Sequence, residues 1–170
     1  GLTVPAGGNI TVAYETEVNA FAPMDAAGTI TNTAVVSGGG ITPITVTETI
    51  GTESTPILTI TKSVSPVPVT ENGTLTYTFL IQNAGSAPAD IGTDAVIVDT
   101  FNPLLSNLAV SFNGTAWAET TNYTYDETTG VFTTIAGQIT VPAATYTQNP
   151  ATGVWTADPG VSTLVVKGTI

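Results

Sequence analysis

Threonine alternates with valine, isoleucine and leucine along most of this chain. The runs are NITVAYETEV (9–18), GTITNTAVVS (28–37), ITPITVTETI (41–50), PILTITKSV (56–64), TLTYTFLIQN (74–83), DAVIVDTF (94–101), NLAVSFNG (107–114), GVFTTIAGQITV (130–141) and STLVVKGTI (162–170). A period of two places the apolar members on one face of an extended chain, and β-branched and aromatic residues suit a pleated backbone, so each run predicts a strand. Between the runs stand PAGG, SGGG, SPVP, ENG, NAGSAP, ETTG and ADPG, which supply the positive φ and the chain breaks of tight turns. No segment carries a helical period of useful length. The pattern predicts an all-β fold: an immunoglobulin-like antiparallel β-sandwich, with threonines toward water and Val, Ile and Leu toward the facing sheet.

One phrase occurs twice. LTVPA fills residues 2–6 and ITVPA fills residues 139–143. In its second occurrence about eighty residues precede the phrase, starting from LTITKSV; in its first, only Gly1 does. The expectation is therefore one complete sandwich at 58–170, a linker at 54–57, and at 1–53 the C-terminal half of a preceding unit. A few strands with one apolar face cannot close a core alone, and unpaired sheet edges are templates for another chain. The missing strands are expected either from a longer parent chain or from a neighbouring copy by strand addition.

Composition narrows the partners. Hydrophobic residues make up 42% of the 170 positions, enough to bury a core, which removes the disordered class. Thirteen Asp and Glu face two lysines, Lys62 and Lys167, with no Arg, for a net charge of −11. Phosphate backbones and anionic lipid are bound through clustered Lys and Arg, so nucleic acid is excluded and direct membrane insertion is not expected. With neither His nor Cys in the chain, Ser-His-Asp and Cys-His nucleophilic sites and the usual zinc ligand sets are also excluded. Asp126 and Glu127 are adjacent, and adjacent side chains on a strand face opposite ways, so TYDETTG reads as a hairpin tip and not as a glycosidase pair. No enzyme activity and no cofactor are expected.

A family resemblance rests on particular residues. LTITKSVSPVPVTENGTLTYTFLIQNAGSAPADIGTDAVIVDTF resembles the opening of the prokaryotic surface-protein "conserved repeat domain", the eleventh domain of unknown function, through Thr61, Lys62, Gly73, Tyr77, Asn83 to Gly85, and Asp99. AGTITNTAVVS resembles the closing strand of that family, with Asn32 and Ala34 in place, whereas the second copy ends VVKGTI and departs from the pattern. The resemblance implies tandem β-sandwich modules on bacterial or archaeal surfaces, extracellular or cell-surface in location, serving as stalks, fibres or adhesive spacers. Its implied partners are copies of itself or adjacent repeats.

Several residues stand as candidate sites. In surface sandwiches of related kinds a strand lysine can be joined to Asn or Asp by an isopeptide bond. Lys62 is the candidate amine, with Asp99 or Asn83 as its partner; a solvent-facing or salt-bridged lysine is the alternative. Asp90 and Asp94 flank a glycine turn and are candidate calcium ligands, against a reading as solvated turn acids. Trp117, Trp155, Tyr123, Tyr125 and Tyr146 fall in two turn-rich stretches, where they would form a platform for surface glycans or else pack the core. The Asn-X-Thr sequons at Asn9, Asn72, Asn113 and Asn122 read as by-products of threonine richness.

Overall fold

The computed structural model describes residues 1–17, 29–51, 55–152 and 154–170. The chain is all-β: the described residues hold twelve strands and one 3₁₀ turn, Ile91–Thr93. Two strands, β1 (Thr29–Gly38) and β2 (Ile41–Gly51), form a hairpin sheet of their own. The remaining ten are β3 (Leu58–Ser65), β4 (Thr74–Asn83), β5 (Val98–Thr100), β6 (Ser106–Phe112), β7 (Thr115–Trp117), β8 (Tyr123–Tyr125), β9 (Val131–Thr134), β10 (Thr145–Gln148), β11 (Trp155–Asp158) and β12 (Gly160–Thr169).

Two antiparallel sheets face each other as a β-sandwich. One has five strands in the order β3-β4-β12-β6-β7, the other three in the order β5-β9-β8, and β10-β11 is a further short hairpin. The longest ladder sets the register: β12 runs the full length of β4, with Leu164 opposite Phe79 and Val166 opposite Tyr77. Because side chains alternate, that register puts Leu75, Tyr77, Phe79 and Ile81 inward together with Leu164 and Val166. Phe101, Tyr123, Phe132, Ile139 and Val141 meet them from the other side. The aromatic rings interlock there, Phe101 lying 4.7 Å from Tyr77 and 5.9 Å from Phe132 between ring centroids. Each side chain of this size contributes about 1.5–3 kcal/mol when fully buried, so this layer dominates the stability.

Most predicted strands form where the alternation placed them, with three departures. Residues 9–17 form no strand and lie exposed, although NITVAYETEV alternates well. After the second phrase the chain goes on, beyond β10 and β11, to β12, which is held by β4 on one side and β6 on the other; alternation alone does not make a strand without such partners. Conversely, β7, β8, β10 and β11 arise inside stretches that read as turns, since three or four residues are too few to show a period. GVFTTIAGQITV also divides: β9 stops at Thr134, a turn closes from Gln138 N–H to the Ile135 carbonyl, and Val141 then bridges to Ala89.

The segment before β3 is tied to the sandwich. Ile57 donates its N–H to Asn83 Oδ1 and accepts from Ala84 N–H. The backbone of Thr55–Ile57 passes so close to Gly85 that a Cβ there would lie 2.1 Å from the Thr55 carbonyl oxygen. Residues 55–57 of the segment expected as linker, 54–57, are thus tied to the sandwich, and residue 54 lies outside the described residues.

Candidate functional site

The register of β3 against β4 decides where Lys62 points. Ile60 is opposite Ile81, Lys62 opposite Phe79 and Val64 opposite Tyr77, so Lys62 shares the core-facing side with these buried rings. Asp99 is opposite Phe132, which is fully buried, so Asp99 also faces inward from β5. The two side chains meet across the gap between the sheets, Lys62 Nζ in direct contact with Asp99 Oδ2. The ammonium stands over three rings, 4.8 Å from the Tyr77 centroid, 5.2 Å from Phe101 and 5.5 Å from Phe79. Lys62 is 38% exposed and Asp99 19%, because both strands are edges and the pair sits at the mouth of the core.

Asn83, the other candidate partner of Lys62, is elsewhere and fully used. It lies opposite Leu58, at the far end of the ladder from Lys62. Its amide accepts from Ile57 and Gly85 N–H and donates to the Ala87 and Pro142 carbonyls, a set of four bonds that ties the 55–57 segment, the β4 turn and the Pro142 region together.

The side of the sandwich carrying Lys62 and Asp99 is open. Between β3 and the approach to β5 runs an apolar groove of about 270 Å³ lined by Leu58, Ile60, Val96 and Val98 with Ile81 and Ile139 beneath. In the β5–β9 ladder the bonded pairs fall at Ile97, Asp99 and Phe101, so Val98 and Thr100 turn their backbone groups outward, along an unpaired edge. The expectation of alternation missed this edge. Its signal in the sequence is AVIV (95–98), a continuous apolar run where a sheet rim would carry a polar alternate.

The hairpin presents the converse surface. The β1–β2 register places Ile30 opposite Ile50, Ala34 opposite Val46 and Val36 opposite Ile44 on one face, interrupted only by Asn32 and Glu48. The opposite face is lined with threonines, Thr31 bonded to Thr49 and Thr33 to Thr47. On the apolar face Asn32 Nδ2 donates to the Tyr14 hydroxyl, and Val36, Ile44, Val46 and Ile50 remain exposed.

The other candidates have local structural work. Asp90 caps the 3₁₀ turn, its Oδ1 accepting from Gly92 N–H, and Asp94 closes that turn in the left-handed conformation. Among the described residues no three His, Cys, Asp or Glu side chains gather as metal ligands. Three of the five loop aromatics pack into the sandwich. Tyr123 is buried and stacks on Phe132, Trp117 is half-buried against Phe112, and the Tyr125 hydroxyl accepts from Leu105 N–H. Tyr146 donates to the Ala84 carbonyl, and the Trp155 side chain lies outside the described residues. Asp126 sits at the hairpin tip, accepting from the Thr129 hydroxyl and from Thr128 N–H, which hold its carboxyl below the ordinary value for Asp. The sequon residues Asn113 and Asn122 spend their amides on Ser162, Thr163, Ala118 and Gln138.

No protein-family model matches the chain, and no curated protein or solved structure matches it either.

Proposed function

We propose that this chain is a structural repeat unit of an extracellular or cell-surface stalk or fibre, in which the β1–β2 hairpin of one copy completes the open side of the sandwich of the next. The observation that carries this reading is the pairing of two incomplete surfaces in one polypeptide: a hairpin with a bare apolar face, and a sandwich whose β5 edge and neighbouring groove are bare and apolar too. A hairpin strand added along β5 would satisfy the outward backbone groups of Val98 and Thr100, and its apolar face would cover Leu58, Ile60 and Val96. Because the surface given differs from the surface received, the contact is head to tail, and it extends into a rod wherever its rotation does not close into a ring or a reciprocal dimer. An adjacent repeat of a longer chain would fill the same place in the same way. The acidic surface, at −11, keeps such rods from associating side by side.

A glycan-binding adhesin is the other reading of the sequence, and it is the less favoured one because Tyr123, Tyr125 and Trp117, three of its five aromatics, are committed to the sandwich. Sedimentation over a range of concentrations with electron microscopy of the same samples tests the assembly. Open, extending rods are expected; a chain that stays monomeric at the highest concentrations overturns the reading.

A further inference from the structure

Lys62 and Asp99 differ from ordinary surface charges in where they point. Lys62 interrupts the row Leu58, Ile60, Val64 on the inward side of β3, and Asp99 shares its face with Phe132. They come from edge strands of opposite sheets, with no ladder bond between those strands. The amine nitrogen touches the carboxylate, and the faces of Tyr77, Phe101 and Phe79 crowd it. Holding a charged pair here costs each ion part of its hydration, Asp99 at 19% exposure more than Lys62 at 38%. A neutral amide between the same atoms removes that cost and fixes the same geometry.

We propose that Lys62 and Asp99 form an intramolecular isopeptide bond. The ammonium passes one proton to the carboxylate, leaving a neutral amine and a carboxylic acid. The nitrogen lone pair then attacks Asp99 Cγ. The C–O bond to the protonated oxygen breaks, the departing oxygen takes a second proton from the attacking nitrogen, and one water leaves as the amide forms. The charges cancel and water is the sole by-product. Tyr77 lies within this cage with its phenol pKa raised, by burial first and by the Asp99 charge second, so it stays a neutral hydroxyl at the site. The bond closes a loop across a separation of 37 residues and fastens β3 to β5 at the open side of the sandwich.

Intact mass of the denatured full chain, taken after the folded protein has stood at neutral pH, tests this directly. The wild-type chain is expected to weigh one water less than its sequence, and Lys62→Arg to carry its full sequence mass. Tandem mass spectrometry is expected to tie residue 62 to residue 99, and trypsin, which otherwise cuts only after Lys62 and Lys167, to cut only after Lys167. A wild-type chain at full sequence mass overturns the proposal. So does a water deficit that persists in Lys62→Arg, which places the dehydration elsewhere.

Discussion

Val4 and Val141 hold the same place in the same five-residue phrase, yet Val4 is 60% exposed and Val141 is 1% exposed. Their neighbours Leu2 and Ile139 repeat the contrast, at 75% and 1%. Val141 is sealed because its segment bridges to Ala89 through a reciprocal pair of backbone bonds and lies beneath the β4–β12 wall. Among the described residues no sandwich wall covers Val4. The difference lies in the company each phrase keeps, and it gives the head-to-tail proposal its physical content: the exposed apolar face of β1–β2 is surface that such a contact would bury.

Assembly should depend on the apolar face of the hairpin. Val46→Asp puts a charge at the centre of that face, opposite Ala34, where burial would require desolvating it. Sedimentation of this variant is expected to show monomers at concentrations where the wild type extends, with the thermal midpoint of the sandwich unchanged. Equal assembly by both proteins would remove β1–β2 from the contact.

Asn83→Ala should be among the most damaging single changes away from the aromatic layer. It strands the Ile57 and Gly85 N–H groups and the Ala87 and Pro142 carbonyls, and a loss of about 3 kcal/mol is expected from buried polar groups left unpaired. Urea unfolding measures it. A loss under about 1 kcal/mol would mean that water replaces the amide without cost.

Gly160 opens β12 where it passes the Pro142 backbone, and a Cβ there would lie 1.9 Å from the Pro142 carbonyl oxygen. Gly160→Ala must push two backbones apart, which at typical overpacking costs destabilises by about 1–3 kcal/mol. Hydrogen exchange should locate the damage at the Ala89–Val141 bridge. Gly39, with open space around its Cβ position but a φ of +55°, should tolerate alanine better.

Alkaline pH should unfold the sandwich. Tyr77 and Tyr123 both have raised pKa values, in each case from burial first; the charge of Glu119 adds to the second, and that of Asp99 adds to the first for as long as its carboxylate is free. A raised pKa means that the folded chain holds the proton more tightly than the unfolded chain. That contribution is complete below the ordinary tyrosine value of 10.0 and is lost as pH rises through the folded values. The urea midpoint is expected to drop above that pH, and Tyr77→Phe to reduce the drop; an unchanged alkaline slope in that variant would clear Tyr77 of the effect.

Much of this was readable from the chain. The alternation of β4, TLTYTFLIQN, marks its inward face residue by residue, because a sheet with one buried side transmits the period of the backbone directly into polarity. The hairpin was equally legible, SGGG supplying the positive φ values that its turn adopts. Lys62 and Asp99 could be picked out as a pair by scarcity and strand position, but Asn83 was just as eligible until the ladder put it opposite Leu58. Short strands such as Tyr123–Tyr125 and Trp155–Asp158 left no periodic trace.

The sequence by itself determined the secondary structure class, the inward faces of the long strands, the absence of any basic surface, and the duplication of a phrase. Only the tertiary structure decided which equivalents are covered: Ile139 and Val141 are sealed while Leu2 and Val4 are bare, and residues 9–17 stay out of any strand despite a pattern like that of β12. A strand is completed by hydrogen bonds and side chains that other segments bring to it, and those contacts are set by the register and order of strands far apart in the chain, which no local period encodes.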